Sequence, residues 1–206
     1  MTSPIFASFT AFCETEGITR EAFRAVMSGA ARTEGSPFAK VETGEITEEQ
    51  FDEAVASLLS DACGKAIAPL GLKQRMFALV KPDDAMWSAV GAARGAGVRT
   101  GLLSNSWGGR DYPLDELRQI FDTLVISGEV GMRKPQPEIY LLAAERAGAR
   151  PEDCVFVDDF SVNVEGAEAV GMKGIVHEDA RTTIATLEEV LGLELGSAAD
   201  VGSARR

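Results

Sequence analysis

Two adjacent aspartates, Asp158 and Asp159, directly follow an apolar run at 155–157. Two carboxylates beside a hydrophobic core are costly unless a cation or hydrogen-bond donors satisfy them. Carboxylate oxygens are hard ligands that suit Mg²⁺, which takes few protein ligands and keeps several waters. An Asx-type turn that caps the next helix is the alternative interpretation. The pattern therefore favours a magnesium site, with a turn as the competing structural role.

A hydroxyl and an ammonium group precede this doublet, each at or just after a predicted strand. Ser104 ends the apolar run in TGLLSNS, and its hydroxyl can donate to a phosphoryl oxygen without adding charge. Lys134 in GMRKPQPEIY precedes prolines that stiffen the backbone and fix the base of the lysine. A fixed ammonium would neutralise charge on a phosphoryl group. Singly, Ser104 also fits a turn cap and Lys134 a solvated charge, but the ordered set predicts a phosphate and metal site.

The chain divides into two halves that differ in their pattern of apolar and polar residues. Up to about residue 80 every strong signal is helical, as in Thr47 and Gln50, which form a capping box before the helical pattern FDEAVASLLSDAC. From residue 82, where a helix is predicted to 94, apolar runs alternate with amphipathic stretches. The predicted strands are VRTGLLS, TLVIS, CVFVDD and GIVH, and the helices among and after them span 114–121, 137–147, 162–170 and 182–191.

This alternation predicts an α/β fold in which a parallel, Rossmann-like sheet is covered by helices on both faces. Polar groups at the carboxyl ends of such strands point into one crevice, which is where the candidate residues fall. The predicted domains are a helical cap at 3–80, a Rossmann-like core at 81–195 and a disordered tail at 196–206.

Composition restricts the class of function. With 32 acidic and 20 basic residues the chain has a net charge of −12, which repels polyanions, so we expect no nucleic-acid partner. No apolar run approaches the roughly 20 residues that cross a bilayer, so no membrane partner is expected. The start MTSPIF has neither a basic leader nor a signal-peptide cleavage pattern, and we expect a cytoplasmic protein.

Three segments carry a resemblance to a known family. TGLLSNSW, VGMRKPQPEIY and VFVDDFSVN, with the trailing GAEAVGMKGIVH, resemble the second, third and fourth motifs of the haloacid dehalogenase (HAD) superfamily. They look most like the N-terminal phosphatase domain of bifunctional epoxide hydrolases. The resemblance spans about residues 98–177, and the preceding helices suit the helical cap that such proteins carry. It implies a Mg²⁺-dependent hydrolase of a small phosphate monoester, with a small phosphorylated metabolite as its partner.

The resemblance also implies roles for the phosphate-binding residues. Ser104 and Asn105 would contact the phosphoryl oxygens, and Lys134 would bridge the phosphoryl group and a nucleophilic aspartate. Trp107, after the second motif, either packs under the cap or stacks on a substrate. The oligomeric state is left open, and a homodimer is compatible with the sequence.

For the metal, the resemblance implies that Asp159 ligates Mg²⁺, with Asp158 and Asn163 supporting the site. Dehalogenases of the same fold use no metal, and their fourth motif lacks this acidic doublet, so the doublet favours phosphate chemistry. A response-regulator receiver domain carries similar groups, but there the acidic pair comes first and the lysine last. That order is opposite to the order in this chain.

The first motif of the family is missing from the sequence. Family members open with a strand that ends in Asp-x-Asp, whose first aspartate becomes the aspartyl-phosphate and whose second is the general acid and base. The start MTSPIF aligns with the end of the following loop, so the predicted core lacks its first, central strand. We expect the nucleophile upstream of Met1, through a misplaced start or a truncation. The alternative is a catalytically dead HAD-like binding or scaffold protein, and either way the chain alone is expected to be inactive.

Overall fold

The computed structural model describes residues 5–108 and 112–196, so residues 3 and 4 of the predicted cap and residues 197–206 of the predicted tail lie outside it. Residues 5–80, the helical part, contain α1 (Ile5–Glu16), α2 (Arg20–Arg32), α3 (Pro37–Glu42), α4 (Glu48–Cys63) and α5 (Leu72–Met76). The predicted capping box is confirmed, because Thr47 Oγ1 accepts from Gln50 N at 3.3 Å and Gln50 Oε1 accepts from Thr47 N at 2.9 Å. No helix of the described residues is long and apolar enough to cross a membrane.

Residues 81–196, the sheet part, alternate strands with helices as predicted. The elements are α6 (Asp84–Gly95), β1 (Gly101–Ser104), α7 (Leu114–Ile120), β2 (Thr123–Ile126), α8 (Ser127–Val130), α9 (Pro137–Ala147), β3 (Val155–Asp158), α10 (Ser161–Ala169), β4 (Lys173–Val176) and α11 (Ala180–Leu191). The helix α6 was predicted to begin at residue 82 but begins at Asp84. Asp83 caps it, because its Oδ1 accepts a hydrogen bond from Met86 N at 3.1 Å. The predicted domain boundary near residue 80 stays a prediction.

The strands form two separate sheets where one was predicted. β1 pairs in parallel with β2, β3 pairs in parallel with β4, and no strand pairing joins the two sheets among the described residues. Cys154 O accepts from Lys173 N at 2.9 Å, which directs that carbonyl towards β4. Because successive residues of a strand direct their backbone groups to opposite sides, Val155 and Val157 turn theirs away from β4. Within residues 5–108 and 112–196, β3 thus has one edge without a strand partner.

Three hydrophobic clusters hold these elements together. One fills the helical part, a second packs α9 and α10 against the strands, and a third packs α6 and α11 against β3. Trp107 follows β1 in the sequence but packs into the helical cluster, with its ring centroid 4.9 Å from Phe77 and 5.8 Å from Phe38. The loop after β1 is therefore anchored in the helical part, which confirms packing as a role of Trp107.

Alanine substitutions at two helical glycines test this packing, because they should change the free energy of unfolding in opposite directions. A Cβ at Gly166 in α10 would lie 2.9 Å from the side chain of Pro135 and 2.9 Å from Tyr140 Oη, whereas a Cβ at Gly91 in α6 meets nothing within 4 Å. Gly166→Ala should lower the free energy of unfolding by about 1–3 kcal/mol through overpacking. Gly91→Ala should raise it by about 0.5–1 kcal/mol, because alanine is the better helix former. Urea unfolding measures both, and stabilisation by Gly166→Ala would contradict this packing.

Candidate functional site

The predicted site residues lie at the carboxyl ends of two strands from different sheets. Ser104 is the last residue of β1 and Asp158 is the last residue of β3. Lys134 lies in the loop between α8 and α9, and its Nζ donates to Leu103 O at 3.2 Å and to Asp158 Oδ2 at 2.6 Å. One ammonium therefore contacts the ends of both β1 and β3. The structure brings the predicted hydroxyl, lysine and acidic doublet to one edge of the molecule.

The ion pair between Lys134 and Asp158 is buried. The side chains are 9% and 6% exposed, and Lys134 Nζ lies 5.6 Å from the centroid of the Phe156 ring. Both ions are removed from water, which is unfavourable unless their remaining hydrogen-bonding capacity is satisfied. The Leu103 carbonyl supplies a second acceptor for the ammonium. The lysine head is thus fixed by its surroundings.

The second oxygen of Asp158 is held by the start of α10. Asp158 Oδ1 accepts from Phe160 N at 2.9 Å and from Asn163 Nδ2 at 2.9 Å, and the carbonyl of Asn163 accepts from Tyr140 Oη at 2.7 Å. The bond to Phe160 N is the Asx-type turn that competed with the functional interpretation. Asp158 therefore has both roles, as a turn residue and as the partner of Lys134. Asn163 orients Asp158.

Asp159 has a different environment from its neighbour. Burial raises the pKa of its carboxyl group, the charge of Asp158 raises it further, and its own backbone N–H, Lys134 and His177 oppose the rise. A carboxylate whose negative charge is disfavoured by its surroundings gains from a bound cation, so Asp159 fits a Mg²⁺ ligand. In the described part of the chain, no three His, Cys, Asp or Glu side chains form a group that could hold a metal. The described residues thus form no complete ligand set of these residue types, and the metal roles of Asp159, Asp158 and Asn163 stay predictions.

The phosphate-binding candidates are placed next to the lysine. Asn105 Nδ2 donates to Lys134 O at 3.1 Å, and Lys134 N donates to Asn105 Oδ1 at 2.9 Å, so the Asn105 amide clamps the lysine backbone. Ser104 Oγ lies 2.9 Å from Tyr112 Oη. Burial raises the pKa of Tyr112, which keeps this phenol protonated. Asn105 positions Lys134, and contacts of Ser104 and Asn105 with a phosphoryl group stay predictions.

The structure adds residues that the sequence did not indicate. Tyr112 contacts Ser104, and Ser127 accepts a hydrogen bond from Ser106 N at 2.7 Å. Glu42 of the helical part forms a buried ion pair with Arg133, the residue before Lys134. Adjacency to Lys134 was the one available signal for Arg133. Glu42 had none, because it lies far from the site in sequence.

Several known proteins resemble this chain in sequence. The model of the haloacid dehalogenase-like hydrolases matches residues 1–171. Bifunctional epoxide hydrolase 2 of Sus scrofa is 30% identical over 175 residues, which cover 76% of this chain and 31% of that protein. Glyceraldehyde 3-phosphate phosphatase of Methanopyrus kandleri is 31% identical over 111 residues, which cover 52% of this chain and 48% of that protein. The chain thus spans about a third to a half of the length of these relatives.

A solved structure gives the same fold. A HAD family enzyme of Bacteroides thetaiotaomicron, solved in complex with magnesium and inorganic phosphate, superposes with a TM-score of 0.56 at 20% identity. The match covers 84% of this chain and 87% of that one. At this identity the likeness extends to the fold alone. It agrees with the predicted α/β class.

The buried pair can be tested by a double-mutant cycle. Lys134→Met leaves the Asp158 carboxylate buried without its cation, and should lower the free energy of unfolding by about 3–5 kcal/mol. Adding Asp158→Asn should recover part of this loss, because no unpaired charge remains. The exposed pair of Arg150 and Asp153 is the control, and removing its charges should change stability little. Additive effects of the two substitutions at the buried pair would contradict the coupling.

The raised pKa of Asp159 predicts a dependence of stability on pH. A carboxyl group with a raised pKa favours the folded state when it is neutral, and this contribution is lost as the pH rises through the raised pKa. Without metal, Asp159→Asn should therefore be more stable than the natural chain at neutral pH. The difference should vanish as the pH falls towards the ordinary aspartate pKa of about 3.9. Urea unfolding across this range measures it, and a destabilised Asn variant at pH 7 would contradict the electrostatic account.

Proposed function

Because the chain belongs to the haloacid dehalogenase-like hydrolase family, we propose that it carries the magnesium and phosphate half of a hydrolase for small phosphate monoesters. The observation that supports this most directly is that Lys134 Nζ donates both to the Leu103 carbonyl in β1 and to Asp158, the first residue of the acidic doublet, at the end of β3. Relatives named as phosphatases support the same class of chemistry. The substrate that we propose is a small phosphorylated metabolite.

In this proposal the lysine neutralises the transferred group. The ammonium of Lys134 lies between a backbone carbonyl and Asp158, so its position is set before a ligand arrives. A preorganised positive charge in a buried site stabilises the charge that develops on a phosphoryl group during transfer. Ser104 ends the neighbouring strand and offers a neutral donor to the same group. Asn105 keeps the lysine backbone in place.

Asp159 is the proposed protein ligand of Mg²⁺ in this chain, and Asp158 and Asn163 orient the segment that carries it. Bound Mg²⁺ would polarise the phosphoryl oxygens and offset their charge. Asp158 has both carboxylate oxygens engaged by Lys134, Phe160 and Asn163, which leaves Asp159 to bind the ion.

The nucleophile that this function requires is an aspartate on a further strand. The separation of β1 from β3 and the free edge of β3 support a place for that strand between them. A strand there would pair with backbone groups of β3 that have no strand partner in the described part of the chain, and its carboxyl end would reach Lys134. We propose that this strand is encoded upstream of Met1. If it is not, the chain is a HAD-like binding or scaffold protein.

A generic phosphatase assay separates these two outcomes. The in-frame sequence upstream of Met1 is translated first, and an apolar run ending in Asp-x-Asp is expected about ten residues before it. Hydrolysis of p-nitrophenyl phosphate with Mg²⁺ is then measured for this chain and for the chain extended through that run. Activity in the longer chain alone is the expected result, because covalent catalysis needs the aspartate. Activity in neither supports the binding or scaffold protein.

A variant of the acidic doublet serves as the control. Asp159→Asn in the longer chain should reduce hydrolysis by more than about a hundredfold, because metal coordination contributes several kcal/mol to transition-state stabilisation. Hydrolysis by the short chain that disappears in Asp159→Asn would show that the proposed nucleophile is wrong.

A further inference from the structure

Glu42, at the end of α3, lies next to two loops of the site. These site loops are residues 105–108, which follow β1, and residues 131–136, between α8 and α9. Its carboxylate pairs with the guanidinium of Arg133, and the two side chains are 10% and 16% exposed. The side-chain amide of Asn105 lies near the same carboxylate. One residue of the helical part therefore pairs with the neighbour of Lys134 and lies near the neighbour of Ser104.

The backbone of Glu42 makes a second link to the same loops. Its carbonyl accepts from Ser127 Oγ, and that oxygen accepts from Ser106 N at 2.7 Å. The backbones approach closely here, because a Cβ at Gly44, where φ is +77°, would lie 2.9 Å from Gly128 O. A side chain at Gly44 would collide with backbone, so glycine permits this contact. The backbone of the helical part therefore closely approaches that of α8, the helix directly before the loop that carries Lys134.

The electrostatics of Glu42 restrict how these segments can move apart. Burial raises the pKa of Glu42, while the charges of Arg133 and Lys134 lower it. A buried carboxylate keeps its charge in such a place only while its cationic partner stays in position. Displacement of α3 from the loops would separate a pair whose members are both largely shielded from water. The pair therefore favours one placement of the loops.

We propose that Glu42 is a positioning residue for phosphate binding. It acts through Arg133 on the loop that carries Lys134, and through Ser127 and Asn105 on the loop that follows Ser104. The proposal rests on the proposed phosphate site. Glu42 bears a negative charge and would repel a phosphate that it contacted, so its contribution comes from loop placement. Its removal should therefore weaken phosphate binding.

The direction in which Glu42→Gln changes the phosphate affinity distinguishes positioning of the loops from simple neutralisation of Arg133. If Glu42 only neutralised Arg133, then Glu42→Gln would release a guanidinium to bind the anion and phosphate affinity would rise. If Glu42 positions the loops, the affinity falls, because Lys134 and the donors near Ser104 lose their common alignment.

The first measurement is the affinity of the chain for inorganic phosphate with Mg²⁺ present, determined by titration calorimetry. Glu42→Gln should weaken binding about tenfold, which corresponds to about 1.4 kcal/mol. The matched control is Glu48→Gln, whose carboxylate pairs with Lys73 inside the helical part at 19% and 14% exposure. The control should change affinity less than about twofold, even though both variants lose a half-buried or buried pair. Unchanged or tighter binding by Glu42→Gln would overturn the proposal.

The second measurement needs no ligand. The amides of Ser106 and Lys134 donate to Ser127 Oγ at 2.7 Å and to Asn105 Oδ1 at 2.9 Å. Ser127 Oγ donates to the carbonyl of Glu42, and the Asn105 side chain lies near its carboxylate. Hydrogen exchange at these two amides should accelerate in Glu42→Gln and not in Glu48→Gln. If Glu42→Gln does not fold, Arg133→Gln replaces it.

The two measurements keep the two proposals apart. Failure of the natural chain to bind phosphate would count against the proposed function, and the exchange rates alone would then decide the role of Glu42. Exchange that is equal in Glu42→Gln and in the natural chain would refute the positioning role, whether or not phosphate binds.

Discussion

A buried ammonium group sets the geometry of the whole site. Lys134 reaches a carbonyl at the end of β1 and a carboxylate at the end of β3, and those strands belong to sheets that share no strand pairing in the described residues. A buried charge requires partners, so the surrounding residues are arranged to provide them. Asn105 holds the backbone of the lysine, and Asn163 holds its carboxylate partner. The ends of β1 and β3 are thus held near each other by the hydrogen bonds that the buried Lys134 ammonium makes to both of them.

The helical part contributes to the same constraint. Trp107 packs among the aromatic rings of the helical cluster, and Glu42 pairs with Arg133. Trp107 lies in the loop that follows β1, and Arg133 lies in the loop that carries Lys134. The cap-like helices therefore help to define the shape of the site loops, in addition to covering apolar surface. Residues of both parts of the chain therefore lie around the candidate site.

Much of this arrangement was predictable, because it depends on local patterns. The helix predicted at 137–147 is α9, and Ser104 and Asp158 do end strands as the apolar runs indicated. The short helices α3, α5 and α8 were not predicted, because one or two turns are too short to show a periodic pattern. Local spacing alone did not distinguish the adjacent aspartates, and only the family resemblance assigned them different roles. Their difference depends on which one faces Lys134, and that is a property of the folded strand.

Contacts between distant segments could not be predicted from local spacing. Glu42 lies 91 residues before Arg133 and 85 before Ser127, so no periodicity or motif relates them. The division into two sheets, in contrast, fits the proposal that a further strand lies between β1 and β3. The link between the two sheets could not be predicted from the sequence. It consists of Lys134 and its acceptors on β1 and β3.

The most direct test of the account is a crystal structure of the chain with Mn²⁺ in place of Mg²⁺ and with inorganic phosphate. Mn²⁺ accepts similar oxygen ligands and can be located by anomalous scattering. We predict the ion at about 2.2 Å from an Asp159 carboxylate oxygen, and a phosphate oxygen at about 3 Å from both Lys134 Nζ and Ser104 Oγ. An ion bound away from Asp159, or a phosphate on another face of the molecule, would contradict the claim that these groups form one site.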